Sequence, residues 1–170
     1  MILAQRILNL VFVYVLCGVL LGAYGYQYLM HEHPCALCLL QRIGMIGVAI
    51  GPLMNMRFGI KMEHYAISLL SAIIGRIISL RQIALHICPE FPTFGEPILG
   101  YDLYVWAAIV FACSMFAVAV LLFLFGISRH REVPAFWHSG WEKSAWFLVG
   151  IITIANIITT VDLCGLGFCD

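Results

Sequence analysis

Five long apolar stretches alternate with short polar ones along the 170-residue chain. A helix needs about 20 apolar residues to cross the hydrocarbon of a bilayer, and each stretch approaches that length. The pattern therefore predicts five membrane-spanning helices, at about 7–30, 38–56, 64–87, 99–127 and 144–163. The second and third predictions are the weakest, because Pro52 and Arg76 interrupt the apolar pattern there. The first stretch outlasts a signal-peptide core and no clear cleavage site follows it, so we expect it to be retained.

The composition supports an all-α integral membrane protein with a single membrane domain. The chain is 63% hydrophobic and 11% charged, whereas soluble domains carry about 45–50% apolar and about 25% charged residues. A soluble fold of this size has too little interior to bury that excess. The net charge of zero gives no reason to expect a nucleic-acid partner.

The Lys and Arg residues flank the apolar stretches on one side only. Of the nine Lys and Arg residues, those outside the apolar stretches are Arg6, Arg57, Lys61, Arg129, Arg131 and Lys143, whereas the connections at 31–34 and 88–98 contain neither residue type. The positive-inside rule then places the N-terminus in the cytoplasm and the C-terminus outside. Of the seven cysteines, this topology puts five on the outer side, where disulfides persist: Cys35, Cys38, Cys88, Cys164 and Cys169.

A Pro-Cys-x-x-Cys sequence opens the second predicted helix, with Cys35 and Cys38 as its cysteines. The N-terminus of a helix carries partial positive charge and unpaired N–H groups, and both stabilise a thiolate. Arg42 follows Cys38 by four residues and therefore shares its helix face. The pattern predicts a redox-active dithiol at the outer membrane surface.

Three alternatives for this dithiol remain open. His31 and His33 would complete a four-ligand metal set with the two cysteines, but the spacing matches no ordinary zinc site, and we predict no metal. Leu39 stands where c-type haem attachment requires a histidine. A static structural disulfide is the third alternative.

The remaining outer cysteines form a second candidate group. Two glycines lie between Cys164 and Cys169, and they permit a tight turn that would bring the sulfurs together. A bond closing so short a loop adds little stability, which favours an exchangeable bond over a static clip, although the clip or an unpaired end remains an alternative. Cys88 is the odd fifth thiol, free or transiently bonded.

Two polar residues near the outer end of the third helix are candidates for the same pocket as Arg42. Ionisable groups within a membrane are functional hypotheses by default. Arg81 and His86 are expected at about the depth of Arg42. Arg76 lies deeper, where a charge satisfied inside the bundle is an equally good interpretation.

The segment 34–42, with the sequence PCALCLLQR, resembles the motif of the DsbB family of disulfide-generating membrane proteins. The resemblance is specific over about 30–51 and loose over the first, third and fourth helices. It implies a four-helix bundle in the bacterial inner membrane and a bound quinone, either ubiquinone or menaquinone. It also implies a periplasmic DsbA-like, thioredoxin-fold oxidant as partner.

The same resemblance implies roles for individual residues. Cys35 and Cys38 match the pair next to the quinone, with Cys38 as the thiolate that contacts the ring. Arg42 matches the arginine at the quinone, and Arg81 and His86 lie where the family has polar residues near it.

One departure from the family concerns its second cysteine pair, in the outer loop after the third helix. This chain has only Cys88 there. We therefore expect a DsbB-like core at 1–127, and a cytoplasmic loop, an extra fifth helix and a periplasmic cysteine-containing tail at 128–170. The hypothesis is that Cys164 and Cys169, with or without Cys88, do the work of the missing pair.

The function predicted from these features is that of a thiol:quinone oxidoreductase. A reduced partner would exchange with an outer disulfide, the resulting dithiol would reduce Cys35–Cys38, and a quinone would accept the electrons. One alternative is a quinone or vitamin-K-epoxide-type reductase with reversed electron flow. The other is a non-enzymatic membrane protein that binds a metal or haem through His31, His33, Cys35 and Cys38.

Overall fold

A computed structural model describes residues 2–30, 35–87, 97–127 and 140–165. These residues form five helices: α1 (Ile2–Leu29), α2 (Ala36–Phe58), α3 (Met62–His86), α4 (Leu103–Ile127) and α5 (Gly140–Cys164). Within the described ranges, the one β-type pairing is an isolated bridge between Ile98 and Tyr101. The predicted all-α fold with five long helices is confirmed.

All five helices are long and apolar enough to cross a membrane. Each also carries large apolar side chains on its exposed surface, such as Ile74, Phe116 and Phe147, which are 57%, 73% and 72% exposed. A water-soluble protein rarely shows so much contiguous apolar surface, whereas lipid tails are a suitable solvent for it. The chain is a multi-pass membrane protein.

The central helix of the bundle is α2, which packs against each of the other four. Glycines allow close contact of α2 with α3 and of α3 with α4, as is common between membrane helices. A Cβ atom added to Gly51 would lie 2.2 Å from the carbonyl oxygen of His64, and one added to Gly75 would lie 2.2 Å from Cζ of Phe111 in α4. A larger side chain at Gly51 would meet the backbone of α3, and one at Gly75 would displace the ring of Phe111.

Pro52 and Arg76, which interrupt the apolar pattern of the second and third helices, break neither α2 nor α3. Pro52 lies inside α2 and cannot donate a hydrogen bond to the carbonyl of Val48, one turn earlier. The hydroxyl of Ser68 in α3 donates to that carbonyl instead, at 2.8 Å. In α3, the guanidinium of Arg76 donates to the carbonyl of Ala108 at 3.3 Å. Neighbouring helices therefore supply the hydrogen-bond partners for the carbonyl of Val48 and the guanidinium of Arg76.

The boundary of the fourth helix differs from the prediction by four residues. The backbone at Leu99 and Gly100 has φ values of 53° and 82°, in the left-handed region that a helix cannot continue through. The two residues form the turn between Ile98 and Tyr101, and α4 begins only at Leu103. The backbone N–H groups of Val105 and Trp106 then bond to the carbonyl of Asp102.

A buried polar network joins α1, α2 and α3 at the end of the bundle that carries Arg57 and Lys61, here called the basic end. The amide of Asn9 donates to the hydroxyl of Tyr65 at 2.8 Å. Asn55 accepts from the backbone N–H of Lys61 at 3.0 Å and lies 2.9 Å from Nδ1 of His64. The opposite end, where α2 begins at Ala36, is here called the cysteine end.

The fifth helix packs against α1 and α2. Its buried face consists of Glu142, Ala145, Val149, Ile152 and Asn156, at the spacing of a helical stripe. The hydroxyl of Tyr14 in α1 lies 2.5 Å from that of Ser144, and Tyr24 further along α1 reaches Asn156. Because the residue numbers of these contacts increase together along α1 and α5, the two helices run parallel. The fifth helix therefore ends at the cysteine end.

Candidate active site

Cys35 and Cys38 form a disulfide at the start of α2, with their Cα atoms 5.1 Å apart. Cys35 is the N-cap residue, in an extended conformation with φ −71° and ψ 157°. Its sulfur accepts a hydrogen bond of 3.1 Å from the backbone N–H of Cys38. One of the unpaired N–H groups of the helix start therefore points at the sulfur of Cys35, rather than at Cys38.

A buried glutamine on α3 contacts both sulfurs. Nε2 of Gln82 lies 3.2 Å from Sγ of Cys35 and 3.6 Å from Sγ of Cys38. The oxygen of the same amide accepts a 2.8 Å hydrogen bond from Nε2 of Gln41. Gln82 is fully buried and Gln41 is 4% exposed, so water does not compete with these contacts.

Arg42 lies one turn deeper in α2 and is only 7% exposed. Its guanidinium donates to Oε1 of Gln27 at 2.8 Å and to the carbonyl of Ala23 at 3.5 Å. The guanidinium carbon is also 4.3 Å from the centre of the Tyr24 ring, a favourable position for a cation over an aromatic face. These contacts, all on α1, hold the charge in place although no carboxylate is among them.

A cavity of about 710 Å³ adjoins the disulfide and Arg42. Its wall comes from α1, from the turn at Ile98 and Leu99, from α4, and from the α2 residues Cys35, Cys38, Gln41, Arg42 and Met45. Most of the lining side chains are apolar, with the disulfide, the amide of Gln41 and the guanidinium at one wall. Apolar cavities of about 300–1,000 Å³ with a few polar groups are typical of small-molecule and cofactor sites.

The two polar candidates on α3 lie outside the cavity wall. Arg81 is exposed and is not a lining residue. His86 stacks on the ring of Tyr104, with 5.0 Å between ring centres, and Tyr104 does line the cavity. Because a carbonyl can only accept, Nδ1 of His86 carries the proton in its 2.8 Å bond to the carbonyl of Gln82. His86 therefore contacts a residue of the cavity wall, Tyr104, without lining the cavity itself.

Several predicted residues lie outside the described part of the chain. These are Cys88, Cys169, His31 and His33. The backbone of α5 reaches Cys164, at the cysteine end, but the side chain of Cys164 is not described. Among the residues that are described, no three His, Cys, Asp or Glu side chains group as metal ligands would.

The Cys35–Cys38 disulfide at the start of a membrane helix agrees with the result of a comparison with known protein families. The family model described as "Disulfide bond formation protein DsbB" matches residues 5–94, just over half of the chain. The chain belongs to the DsbB family. The match takes in Cys35, Cys38, Arg42 and Gln82 and ends before α4, so α4 and α5 lie outside the matched segment. Comparisons with the curated proteins and with the solved structures find no significant match.

Several residues of the site were not among those chosen from the sequence: Tyr24, Gln27, Gln41, Gln82, Tyr104 and Asn156. A signal existed for the three buried amides, because Gln41, Gln82 and Asn156 are uncharged polar residues within apolar helices. Such residues need partners inside a membrane bundle. No comparable signal marks Tyr24, since aromatic residues occur throughout the chain.

Proposed function

We propose that this DsbB-family protein is a thiol:quinone oxidoreductase that generates disulfides and reoxidises a periplasmic DsbA-like thiol oxidase. The observation that supports this most strongly is the position of the Cys35–Cys38 disulfide. It forms part of the wall of a mostly apolar cavity that also contains a buried guanidinium. A bond used only to staple the fold needs no such cavity beside it.

The cavity fits a quinone in size and chemistry. A quinone head group is flat and apolar, with two carbonyl oxygens that accept hydrogen bonds. The apolar walls from α1 and α4 suit its ring and tail, and Arg42, Gln41 and Gln27 are lining residues with side-chain N–H groups to offer its oxygens. When bound, a quinone supplies an acceptor for two electrons and two protons. The same arguments hold for ubiquinone and menaquinone.

The protein's own part begins with thiol–disulfide exchange. In each exchange a thiolate attacks one sulfur, one S–S bond breaks and one forms, which first gives a mixed disulfide. A second exchange, by the other thiol of the incoming pair, resolves it and completes the transfer of two electrons to the attacked disulfide. We propose that Cys35 receives the incoming thiolate and that Cys38 is the sulfur next to the electron acceptor. Attack on Cys35 makes Cys38 the leaving sulfur, and the amide of Gln82, 3.6 Å from Sγ of Cys38, stabilises the negative charge that develops there.

We further propose that Cys164 and Cys169, with or without Cys88, form the outer pair that exchanges with the partner. This is supported by the direction of α5, which brings its last residue, Cys164, to the cysteine end. Residues 1–127 would then be the quinone-reducing core, and residues 128–170 would supply the second pair. Cys164→Ser and Cys169→Ser should each abolish oxidation of the partner while leaving reduction of quinone by a small dithiol intact. Undiminished oxidation of the partner by both variants would contradict this role.

The proposed location is the bacterial inner membrane, with the cysteine end in the periplasm. The basic end carries Arg57 and Lys61, and such residues concentrate on the cytoplasmic side. In intact cells, a membrane-impermeant thiol reagent should label Cys38 after mild reduction. A cysteine introduced at Lys61 should stay unlabelled until the membrane is opened, and the reverse pattern would contradict the orientation.

The central experiment measures quinone reduction. Purified protein in detergent receives a reduced thioredoxin-fold oxidant and a short-chain ubiquinone or menaquinone analogue, and the absorbance of the quinone is followed. We expect turnover by the unaltered protein and none by Cys35→Ser or Cys38→Ser. Turnover only from hydroquinone to reduced partner would favour the reversed reductase. Stoichiometric zinc or a Soret band without turnover would favour the binding protein.

A further inference from the structure

Gln82 contacts both sulfurs of the disulfide from a helix that takes no part in the cavity. Its Nε2 lies 3.2 Å and 3.6 Å from the sulfurs of Cys35 and Cys38. None of the residues that line the cavity belongs to α3. A molecule in the cavity and the Gln82 amide can therefore contact the disulfide at the same time.

The orientation of the Gln82 amide follows from its neighbour. Nε2 of Gln41 donates to Oε1 of Gln82 at 2.8 Å, which leaves the NH₂ group of Gln82 directed at the sulfurs. Turning the Gln82 amide over would place its oxygen against the sulfur lone pairs and its NH₂ group against that of Gln41. Both changes replace a favourable contact with a repulsive one. Gln41 and the two sulfurs together thus hold Gln82 as a donor.

The strength of the hydrogen bond from Gln82 depends on the oxidation state of the two cysteines. A disulfide sulfur is a weak acceptor, whereas a thiolate carries a full charge, and hydrogen bonds to charged acceptors are roughly twice as strong as neutral ones. Reduction of the Cys35–Cys38 bond takes up two electrons, and with one proton it gives one thiol and one thiolate. A fixed, water-free donor therefore stabilises the reduced pair more than the oxidised pair.

We propose that Gln82 is a redox-tuning residue, which raises the reduction potential of Cys35–Cys38 by donating its amide N–H to the thiolate of the reduced pair. The inference rests on the proposed function only in taking Cys35–Cys38 as the pair that cycles. It adds a reason for the presence of two buried glutamines at the interface of α2 and α3, where a purely apolar contact would avoid the cost of burying amides in a membrane bundle.

The test compares variants that alter the Gln41–Gln82 pair but differ in whether the N–H donor to the sulfurs of Cys35 and Cys38 is kept. Gln82→Met removes the Gln41–Gln82 bond and the contacts to sulfur, while Gln41→Met removes only the former. Gln82→Glu keeps an acceptor for Gln41 and replaces the donor by a carboxylate. Ser79→Ala is the control on the same helix, since the Ser79 hydroxyl is fully buried and bonds only to the carbonyl of Gly75 in its own helix among the contacts described.

The measured quantity is the equilibrium of Cys35–Cys38 with a dithiothreitol redox buffer, in quinone-free protein. Alkylation followed by peptide mass spectrometry separates this pair from the other five cysteines. We expect Gln82→Met to shift the equilibrium about tenfold towards the disulfide, which corresponds to about 30 mV. Gln82→Glu should shift it further in that direction, Gln41→Met less than threefold, and Ser79→Ala not at all. The pH at which the reactive thiol becomes alkylated should rise in both Gln82 variants.

A purely structural role for Gln82 predicts a different outcome. Gln41→Met and Gln82→Met would then shift the equilibrium equally, or neither would, and either result overturns the proposal. If Gln82→Met fails to fold, Gln82→Glu decides, because a wild-type equilibrium and alkylation pH in that variant also overturn it. The experiment contains no quinone, so failure of quinone turnover in the unaltered protein would contradict the proposed function without affecting this result.

Discussion

The hydroxyl of Tyr24 in α1 donates a 3.2 Å hydrogen bond to Oδ1 of Asn156 in α5, and both side chains are buried. The face of the same tyrosine ring lies against the guanidinium of Arg42. The fifth helix, which lies beyond the segment matched by the family model, is thereby connected to the charge at the cavity wall. We interpret α5 as a support that fixes the position of Tyr24 and, through it, of Arg42.

The first prediction concerns this connection. Asn156→Leu leaves the buried Tyr24 hydroxyl without its acceptor, which costs about 1–3 kcal/mol, so the ring should shift. We expect a severalfold rise in the KM for quinone, with the Cys35–Cys38 equilibrium in redox buffer unchanged. Tyr24→Phe should have a similar effect, and the double variant should be no worse than either single one. Thr153→Val, on the same helix but bonded to its own backbone, is the control, and additive effects of Asn156→Leu and Tyr24→Phe would contradict the connection.

The second prediction concerns Arg42 itself. Arg42→Met removes the guanidinium from the cavity wall while keeping much of the apolar stem, so we expect at least a tenfold rise in the KM for quinone. Arg42→Lys should recover only part of the loss, because an ammonium cannot bond to Gln27 and Ala23 in the forked geometry of a guanidinium. Arg57→Met, at the basic end, is the control. A KM for quinone that is equal in Arg42→Met and Arg57→Met would exclude a role for Arg42 in quinone binding.

Much of the fold could be predicted from the sequence, because membrane spans are set by length and hydropathy. The hydrophobic pattern located all five helices. The doubts about Pro52 and Arg76 were mistaken for one physical reason: their unsatisfied groups find partners on other helices, Ser68 with Val48 and Arg76 with Ala108. The hydrophobic pattern of one helix gives no information about partners on other helices.

The site was less predictable, because it depends on which residues of distant segments meet. The motif located Cys35, Cys38 and Arg42, whereas the depth argument for Arg81 gave no information on which face of α3 it occupies. The residue of α3 that faces the disulfide is its neighbour Gln82. One residue along a helix is a rotation of about 100°, enough to separate an exposed side chain from one in contact with sulfur.

The third prediction uses the open space beside α1. Gly22 lines the cavity, and a Cβ added there meets no atom within 4 Å. Gly22→Leu should therefore fold normally and fill part of the cavity, raising the KM for quinone at least tenfold without changing the rate of Cys35–Cys38 reduction by a small dithiol. Gly126→Leu on α4 is a matched control, since a Cβ there also meets nothing and Gly126 is not a lining residue. Unchanged quinone kinetics in a folded Gly22→Leu protein would show that quinone binds elsewhere.

The fourth prediction tests how α2 tolerates its proline. In the unaltered protein, Ser68→Ala leaves the carbonyl of Val48 unpaired within an apolar bundle and should lower the free energy of unfolding by about 1–3 kcal/mol. Pro52→Ala restores the backbone N–H that bonds to this carbonyl in a regular helix. The same Ser68→Ala change should therefore cost much less in the Pro52→Ala background.

The measurement is reversible unfolding in mixed micelles, followed by circular dichroism, for both single variants and the double variant. Ser79→Ala serves as a control in each background, because its hydroxyl bonds to Gly75 within α3 and has no part in the contact between Ser68 and Val48. An equal cost of Ser68→Ala with and without Pro52 would mean that Ser68 stabilises the α2–α3 interface by packing alone. A lower cost without Pro52 would identify the hydroxyl as the group that replaces the missing N–H of the proline.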